Sequence, residues 1–177
     1  MNLLAFAASN SKHSINNKLI GYAIRLLPAH ICVEHLDLND YELPIYSQDR
    51  ESEQGLPALA KQFIDKIAHA DALLIAFAEH NGSYTAAYKN LFDWASRVKQ
   101  KVYQDKPMVL LATSPGPGGA KNVLASAVNS APFFNGQVLG SLSVPKFYDN
   151  VDPTQQHLTN LALKQQLQDV LAPLSTL

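Results

Sequence analysis

The sequence has very little cysteine and no long apolar run. Cys32 is the only cysteine in 177 residues, so no disulfide can form within the chain and we expect a reducing, cytoplasmic setting. Its neighbours in ICVEHLDL predict a buried side chain rather than a nucleophile. No segment approaches the roughly 18 consecutive apolar residues that a membrane span needs. The start, MNLLAFAASNSKHS, also lacks the basic region of a signal peptide. We therefore expect no membrane partner.

Neither positive nor negative charge predominates in the sequence. The formal net charge is −1, without a basic stripe or the aromatic pattern of RNA-binding domains, so we expect no nucleic-acid partner. His30 and His35 lie at opposite ends of a predicted strand without a carboxylate cluster, and we predict no metal site. A G-x-S-x-G sequence is also absent. Hydrolysis is therefore disfavoured.

What the sequence does contain is an alternation of strands and helices. At 47% apolar residues it can bury one core, and we predict a single domain over residues 1–177. Short apolar runs predict strands, and helical spacing of apolar residues predicts the segments between them. The predicted strands are 2–8, 31–38, 72–78, 106–113 and 136–144. The predicted helices are one ending before Pro28 and those at 55–70, 84–100, 119–131 and 153–172. Residues 39–54 form the longest predicted irregular piece, which suggests a functional or interface role.

This alternation predicts a particular topology. Strand–helix repeats form parallel sheets with right-handed crossovers. Five strands in this length favour an α/β fold of the flavodoxin-like type: a three-layer α/β/α sandwich with a five-stranded parallel sheet in the order 2-1-3-4-5. Ligands bind such sheets at the carboxyl ends of the strands, where the strand order reverses. Three unusual loops follow the first, third and fourth strands and should meet at this edge.

The first of these loops is SNSKHSIN, residues 9–16. It combines serines and asparagines with the start of a helix, whose unpaired N–H groups and positive dipole suit a phosphate dianion. Lys12 and His13 add positive charge or face solvent. The alternative is an ordinary helix start that Ser14 caps. Neither a Walker sequence nor G-x-G-x-x-G is present.

The second and third loops can bring backbone N–H and C=O groups close to a ligand. EHNGSY, residues 79–84, contains the turn dipeptide Asn81-Gly82 and can present amides and carbonyls to the edge of a flavin, unless it is a plain turn with Ser83 as helix cap. TSPGPGGA, residues 113–120, allows close approach to a flat ligand, unless it is a tight connection without one. Together, a phosphate cradle and two backbone-rich loops predict a site for FMN.

The same segments resemble the NAD(P)H-dependent FMN reductases, a flavodoxin-like family that includes quinone and chromate reductases. The family sequence G-S-x-R-x-x-S-x-N corresponds to ASNSKHSIN, with Ala8 for Gly and Ser11 for Arg. The sequence P-E-Y-N-x-S-x-P-x-x-L-K-N-x-x-D-W corresponds to AEHNGSYTAAYKNLFDW, with Ala78 for Pro and His80 for Tyr. SPGPGGA is similar to the family's S-x-G-x-x-G-G segment, and DLNDYELPIYSQDRE is similar to its D-L…L-P-x-Y…D-x-E segment.

The resemblance implies a set of cofactor-binding residues. By it, the FMN phosphate is held by Ser9, Ser11, Ser14, Ile15 and Asn16. One edge of the isoalloxazine is bordered by Glu79, His80, Asn81, Gly82, Ser83 and Tyr84, and the other by Ser114, Pro115, Gly116 and Gly118. It further implies NADPH or NADH as co-substrate, a small-molecule electron acceptor such as a flavin or quinone, and a homodimer or homotetramer with residues 39–54 and 84–100 as contact surfaces.

Three interpretations of function stay open, the last of which is a flavin-free domain whose cleft serves only as an interface. The first is an FMN-dependent NAD(P)H oxidoreductase that passes a hydride to an acceptor by a ping-pong mechanism. Because the flavin would supply the chemistry, we predict no catalytic side chain. The alternative is a flavodoxin-like electron carrier or redox sensor with little turnover. Carriers of that type tend to be strongly acidic, so the near-neutral charge favours the enzyme.

Overall fold

Five parallel strands form the central sheet of the computed structural model, which describes residues 1–152 and 157–177. They are β1 (Asn2–Ala8), β2 (Cys32–Leu36), β3 (Ala72–Phe77), β6 (Pro107–Thr113) and β7 (Gln137–Val144), in the spatial order β2-β1-β3-β6-β7. Two short strands, β4 (Glu79–His80) and β5 (Ser83–Tyr84), form a separate hairpin between β3 and β6. Counted along the main sheet alone, the order is 2-1-3-4-5, so the predicted fold is confirmed.

Helices cover both faces of this sheet. The longer ones are α1 (Ile15–Leu26), α3 (Ala58–His69), α4 (Ala86–Val98), α5 (Lys121–Ser130) and α7 (Leu161–Leu171). Successive side chains of a strand point to opposite faces. In β1, Leu4 and Phe6 therefore pack with α3, α4 and α5, while Leu3 and Ala5 pack with α1 and α7. The three layers result from strands that are apolar on both sides.

The segment 39–54 has more regular structure than its sequence suggests. A 3-10 helix spans Leu38–Tyr41, and α2 spans Gln48–Gln54 with the Ser47 hydroxyl accepting a hydrogen bond from Arg50 N. The stretch between them lies along α4, because Trp94 Nε1 donates to Pro44 O at 2.7 Å. Asn90 Nδ2 likewise donates to Leu43 O at 3.0 Å. The expectation of one long irregular loop was therefore wrong.

The predicted helix over 153–172 also needs correction. Residues 153–156 lie outside the described part of the chain. The short helix α6 (Phe147–Asn150) leads directly into β8 (Val151–Asp152), which pairs with β9 (His157–Leu158). Helix α7 begins only after Asn160, whose side chain caps it. Leu158 is buried as part of this strand pair, although its spacing to the later leucines fits a helix. An apolar spacing alone does not show where a helix begins.

Cys32 is exposed rather than buried as predicted. It begins β2, which is the edge strand of the sheet and has only Leu36 fully buried. The flanking apolar residues do not reveal that this strand lies at an edge. Within residues 1–152 and 157–177, every helix is too short or too polar to cross a membrane.

Candidate functional site

The three loops singled out in the sequence meet at one edge of the sheet. In the strand register, Ala8 at the end of β1 lies beside Phe77 at the end of β3, and Phe77 lies beside Ala112 near the end of β6. Parallel strands bring their carboxyl ends to the same edge, so the loops that follow them are neighbours. An open cleft of about 240 Å³ lies between these loops.

Most of the predicted site residues line this cleft. Nine do so: Ser9, Ser11, Ser14, Ile15, Asn16, Glu79, His80, Ser114 and Pro115. Six do not: Asn81, Gly82, Ser83, Tyr84, Gly116 and Gly118. Tyr84 ends the hairpin with its hydroxyl 3.2 Å from Ser130 Oγ on α5, and burial raises the pKa of its phenol. The structure thus brings the first loop together with the beginning of each of the other two.

The first loop folds into a tight turn before α1. Ser9 Oγ accepts a hydrogen bond from Ser11 N, and Ser14 N donates to Ser11 O at 3.1 Å. Ser14 Oγ accepts from Asn17 N, so Ser14 caps the helix, as one of the two interpretations predicts. Ile15 and Asn16 follow the cap, and their N–H groups have no acceptor within the helix. The end of α1 that borders the cleft is therefore suited to an anion.

The side chain of Asn16 has a structural role apart from the cleft. It is buried, with 2% of its surface exposed. Its Nδ2 donates to Thr113 O at 3.1 Å, and its Oδ1 accepts from Thr113 N at 2.9 Å. Both backbone groups of Thr113 are thus paired with one amide. Only the backbone of Asn16 is left to serve a ligand, since the side chain is used to join α1 to the end of β6.

The second loop is a two-residue hairpin. Asn81 and Gly82 both have positive φ, 53° and 77°, as a type I′ turn requires. The predicted turn dipeptide is confirmed, but Ser83 is not the helix cap. Thr85 is: its Oγ1 accepts from Tyr88 N and donates to Ala8 O at 3.0 Å. This bond fixes the hairpin to the end of β1.

Glu79 connects the second loop to the third. Its Oε2 accepts a hydrogen bond from Val123 N at 2.9 Å, in the first turn of α5. The residue at the N-cap of α5 is Ala120, which has no side-chain acceptor. A carboxylate at a helix N-terminus satisfies an unpaired N–H and opposes the positive end of the dipole. Glu79 therefore caps α5 from a distance, although it also borders the cleft.

The third loop is held by backbone contacts with residues 146 and 147. Lys146 N donates to Gly116 O at 2.9 Å, and Phe147 N donates to Ser114 O at 3.1 Å. Gly119 has a φ of 59°, and a Cβ there would lie 2.3 Å from Ser143 Oγ. Glycine is required at this position because both the backbone angle and the space exclude a side chain.

Four further residues line the cleft: His13, for which the sequence left a role in the site open, and Ala78, Thr113 and Tyr148, which were missed. Ala78 and Thr113 lie within or directly beside the quoted loops, so a wider margin around each loop would have found them. Tyr148 has no such signal, because it comes from α6 and reaches the cleft only through the contacts of the third loop. Among the described residues, no group of three or more His, Cys, Asp and Glu side chains could hold a metal ion.

The fold and the cleft define a flavodoxin-like α/β protein with an anion-suited helix end at its sheet edge. The chain belongs to the NADPH-dependent FMN reductase family, whose model matches residues 1–149. It is 33% identical over 114 residues to an NAD(P)H-dependent FMN reductase of Pseudomonas aeruginosa, an alignment that covers 64% of this chain. It spans about 60% of the length of that protein.

Longer matches extend the comparison over nearly the whole chain. A quinone reductase of Escherichia coli is 28% identical over 170 residues, with 90% of both chains covered. The solved structure of FerB, a flavoenzyme NAD(P)H:acceptor oxidoreductase from Paracoccus denitrificans, has a TM-score of 0.77 and 26% identity, covering 99% of this chain and 95% of that one. The similarity therefore includes α7, beyond the residues that the family model matches.

Replacing Asn16 by Ala should destabilise the protein and distort the cleft. The change leaves both backbone groups of Thr113 buried without a partner, so we expect the free energy of unfolding to fall by about 3 kcal/mol. Urea denaturation followed by circular dichroism measures this loss. Asn10→Ala is the matched control, since Asn10 is an exposed residue of the same loop. Equal stability of the two variants would contradict the bridging role of Asn16.

Replacing Glu79 by Gln should weaken α5. Glutamine keeps an acceptor oxygen but loses the charge at the helix N-terminus, so we expect a loss of about 1 kcal/mol. Hydrogen exchange of the amides at 121–124 should increase together with the loss in urea denaturation. Glu53→Gln, an exposed change at the end of α2, is the control and should leave both quantities unchanged. An unaltered exchange rate at Val123 would refute the capping contact.

Proposed function

We propose that this protein is an FMN-dependent NAD(P)H oxidoreductase that passes a hydride to a quinone, a flavin or a similar small acceptor. The observation that carries this is the meeting of three loops at the carboxyl edge of β1, β3 and β6, with the N-terminus of α1 opening into the cleft between them. Membership of the NADPH-dependent FMN reductase family supports the cofactor. The names of the similar quinone reductase and flavoenzyme support the acceptor class.

The donors of the cleft fit the phosphate of FMN. The hydroxyls of Ser9, Ser11 and Ser14 lie beside the N–H groups of Ile15 and Asn16, and hydroxyl and amide donors at a helix N-terminus suit a dianion. Glu79 is the acidic residue that lines the cleft, and its carboxylate is already bonded to Val123 N. Its negative charge is therefore held at α5, where the helix dipole offsets it.

The remaining predicted residues would border the isoalloxazine. The hairpin 79–84 would meet one edge of the ring, and the loop with Ser114, Pro115, Gly116 and Gly118 would meet the other. When bound, FMN supplies the redox chemistry by accepting a hydride from the nicotinamide and giving it to the acceptor. The backbone N–H groups of Gly116 and Gly118 would stabilise negative charge on the pyrimidine edge of the ring. The contacts that hold these loops keep the donors in place before a ligand arrives.

We propose a ping-pong order for the two half-reactions. One open site would receive the nicotinamide first and, after its departure, the acceptor. Ser11 stands where the family pattern has Arg, so a charge that would favour the extra phosphate of NADPH is absent from this position. The preference between NADH and NADPH therefore depends on other groups, of which His13 lies at the cleft.

The direct test is a visible absorption spectrum during titration with FMN, followed by NADH or NADPH. We expect flavin bands that bleach with a nicotinamide and return on adding a quinone. Double-reciprocal plots at several quinone concentrations should be parallel, as a ping-pong mechanism requires. Bands that resist bleaching would favour the electron carrier or sensor, and a protein that ignores FMN would overturn the site assignment.

A single proline tests the phosphate cradle in the same assay. Ile15→Pro removes the first N–H of α1, at a helix position where proline is tolerated. Ser14 already has the extended backbone that must precede a proline, with φ −55° and ψ 120°. Because hydrogen bonds to charged groups contribute roughly 1.5–3 kcal/mol, FMN affinity should fall about tenfold or more. Ile15→Ala is the control, since it also loses the side chain but keeps the N–H. Equal affinity of the two variants would contradict the cradle.

We also propose that the protein is a homodimer, or a dimer of such dimers, through the segment 39–54 and the outer face of α4. Ile45 supports this: it is 75% exposed on a segment that Trp94 and Asn90 hold against α4. Light scattering should give at least twice the chain mass of 19.4 kDa. Ile45→Asp should lower the mass toward that of one chain, whereas Leu161→Asp, at an equally exposed leucine on α7, should not. A wild-type mass of one chain would disprove the dimer.

A further inference from the structure

The enclosed part of the cleft lies mainly against the first loop. Six of the residues 9–16 line it, but only the beginnings of the other two loops do. The tip of the hairpin at 81–83 and the glycines Gly116 and Gly118 lie outside it. By the assignment proposed above, this part of the cleft holds the phosphate of FMN rather than the isoalloxazine. His80, which the family resemblance places at the ring, therefore lies at the phosphate end.

The hairpin directs its side chains to two faces, because successive residues of a strand alternate. Glu79 and Tyr84 are opposite each other in the β4–β5 pair. Both reach α5: the Glu79 carboxylate accepts from Val123 N, and the Tyr84 hydroxyl lies 3.2 Å from Ser130 Oγ. The imidazole of His80 therefore projects from the other face of the hairpin, where α5 does not engage it.

The basic side chains that line the cleft are imidazoles. Among the described residues that line it there is no arginine or lysine, but there are His13 from the first loop and His80 from the hairpin. Ser11 stands where the family pattern has Arg. Within residues 1–152 and 157–177, the imidazoles of His35 and His69 have hydrogen-bond partners, whereas those of His13 and His80 have neither a hydrogen bond nor an ion pair. Both are exposed and available to a ligand.

The other ionisable groups around the cleft keep a constant charge near neutral pH. Glu79 and Tyr148 line it, and Lys12, Lys146 and Asp149 are exposed beside lining residues. Carboxylates, phenols and ammonium groups ordinarily gain or lose their protons well away from neutral pH, whereas an imidazole does so near pH 6.5. A change in charge at the cleft near neutral pH therefore comes from the two histidines.

We propose that His13 and His80 bind the phosphate of FMN in their protonated forms and so replace the arginine of the family pattern. A protonated imidazole donates from both ring nitrogens, and a neighbouring dianion favours that protonated form. Binding of FMN therefore takes up protons near neutral pH. The phosphate itself acts in the opposite sense, because it releases its second proton at about pH 6. This inference rests on the proposed function, since it needs FMN in the cleft.

The test measures the affinity of the FMN-free protein for FMN and for riboflavin, which lacks the phosphate. Quenching of flavin fluorescence gives both dissociation constants at about pH 6.5 and about pH 8.5, at constant ionic strength and in buffers without phosphate. We expect the dissociation constant of FMN to rise about tenfold over this range and that of riboflavin to stay the same. Calorimetry in buffers of different ionisation enthalpy should show proton uptake with FMN and none with riboflavin.

Variants assign the effect to the two residues. Glutamine keeps a donor but removes the charge, so the double variant His13→Gln, His80→Gln should bind FMN at both pH values as weakly as the wild type does at the higher one. Adding Ser11→Arg to this variant should restore tight binding without the pH dependence. His30→Gln is the matched control, since His30 is exposed just before β2, at the other end of the sheet, and it should behave as the wild type.

The outcomes separate this proposal from the proposed function. If the wild type binds FMN equally well at both pH values, or if the double variant keeps the pH dependence, the histidines do not hold the phosphate, although the function proposed for the cleft stands. The same conclusion follows if riboflavin shows the pH dependence of FMN. A protein that binds FMN at neither pH would overturn both proposals. Circular dichroism of each variant checks that a loss of affinity does not reflect unfolding.

Discussion

The double hydrogen bond between the Asn16 side chain and Thr113 is the contact on which the cleft depends. It joins residues 97 positions apart in the chain and fixes the first turn of α1 to the end of β6. Thr113 Oγ1 in turn donates to Val144 O at 2.7 Å, which extends the connection to β7. A buried amide can pair with both the N–H and the C=O of one residue only in a single orientation. The end of the helix and the start of the third loop are therefore held at a fixed separation.

The other loops repeat this arrangement. Thr85 bonds to the end of β1, Glu79 bonds to the first turn of α5, and Gly116 is held by Lys146 N. In each case a group from one loop satisfies the backbone of another element. We call these contacts between the loops, together with the Asn16–Thr113 pair, the frame. The frame holds the loops in place and leaves backbone N–H donors at the cleft. For this reason the two interpretations of the first loop are compatible: Ser14 caps α1, and a capped helix start is also suited to a phosphate.

The strand order could be predicted from the sequence because β1, β3 and β6 are buried on both faces and read as continuous apolar runs. The parts of the cleft formed by the first loop and by the beginnings of the other two could be predicted from that order, since loops that follow neighbouring parallel strands must meet. The structure of 39–54 could not be predicted, because contacts with α4 from residues some 40 to 50 positions away hold it. Tyr148 was missed for a similar reason, because the segment that carries it is held at the cleft by contacts with the distant loop 113–120. The exposure of Cys32 depends on β2 being an edge strand, which its own residues do not encode.

Several positions that match the family pattern hold the frame, and two that depart from it lie open at the cleft. Asn16 and Glu79 match, and both hold the frame through their side chains. Asn90 and Trp94 also match, and they hold the segment 39–54. By contrast, Ser11 and His80 depart from the pattern, and both are exposed at the cleft. Ser11 contributes only its backbone groups to the loop. Thr85 stands where the family pattern has Pro and still holds the frame through its bond to Ala8 O, so a departure from the pattern can also belong to the frame. Ser11 and His80 differ from it because they lie exposed on the open side of the cleft. A change such as Arg to Ser at residue 11 is therefore expected to alter which molecules the cleft accepts rather than whether the cleft forms.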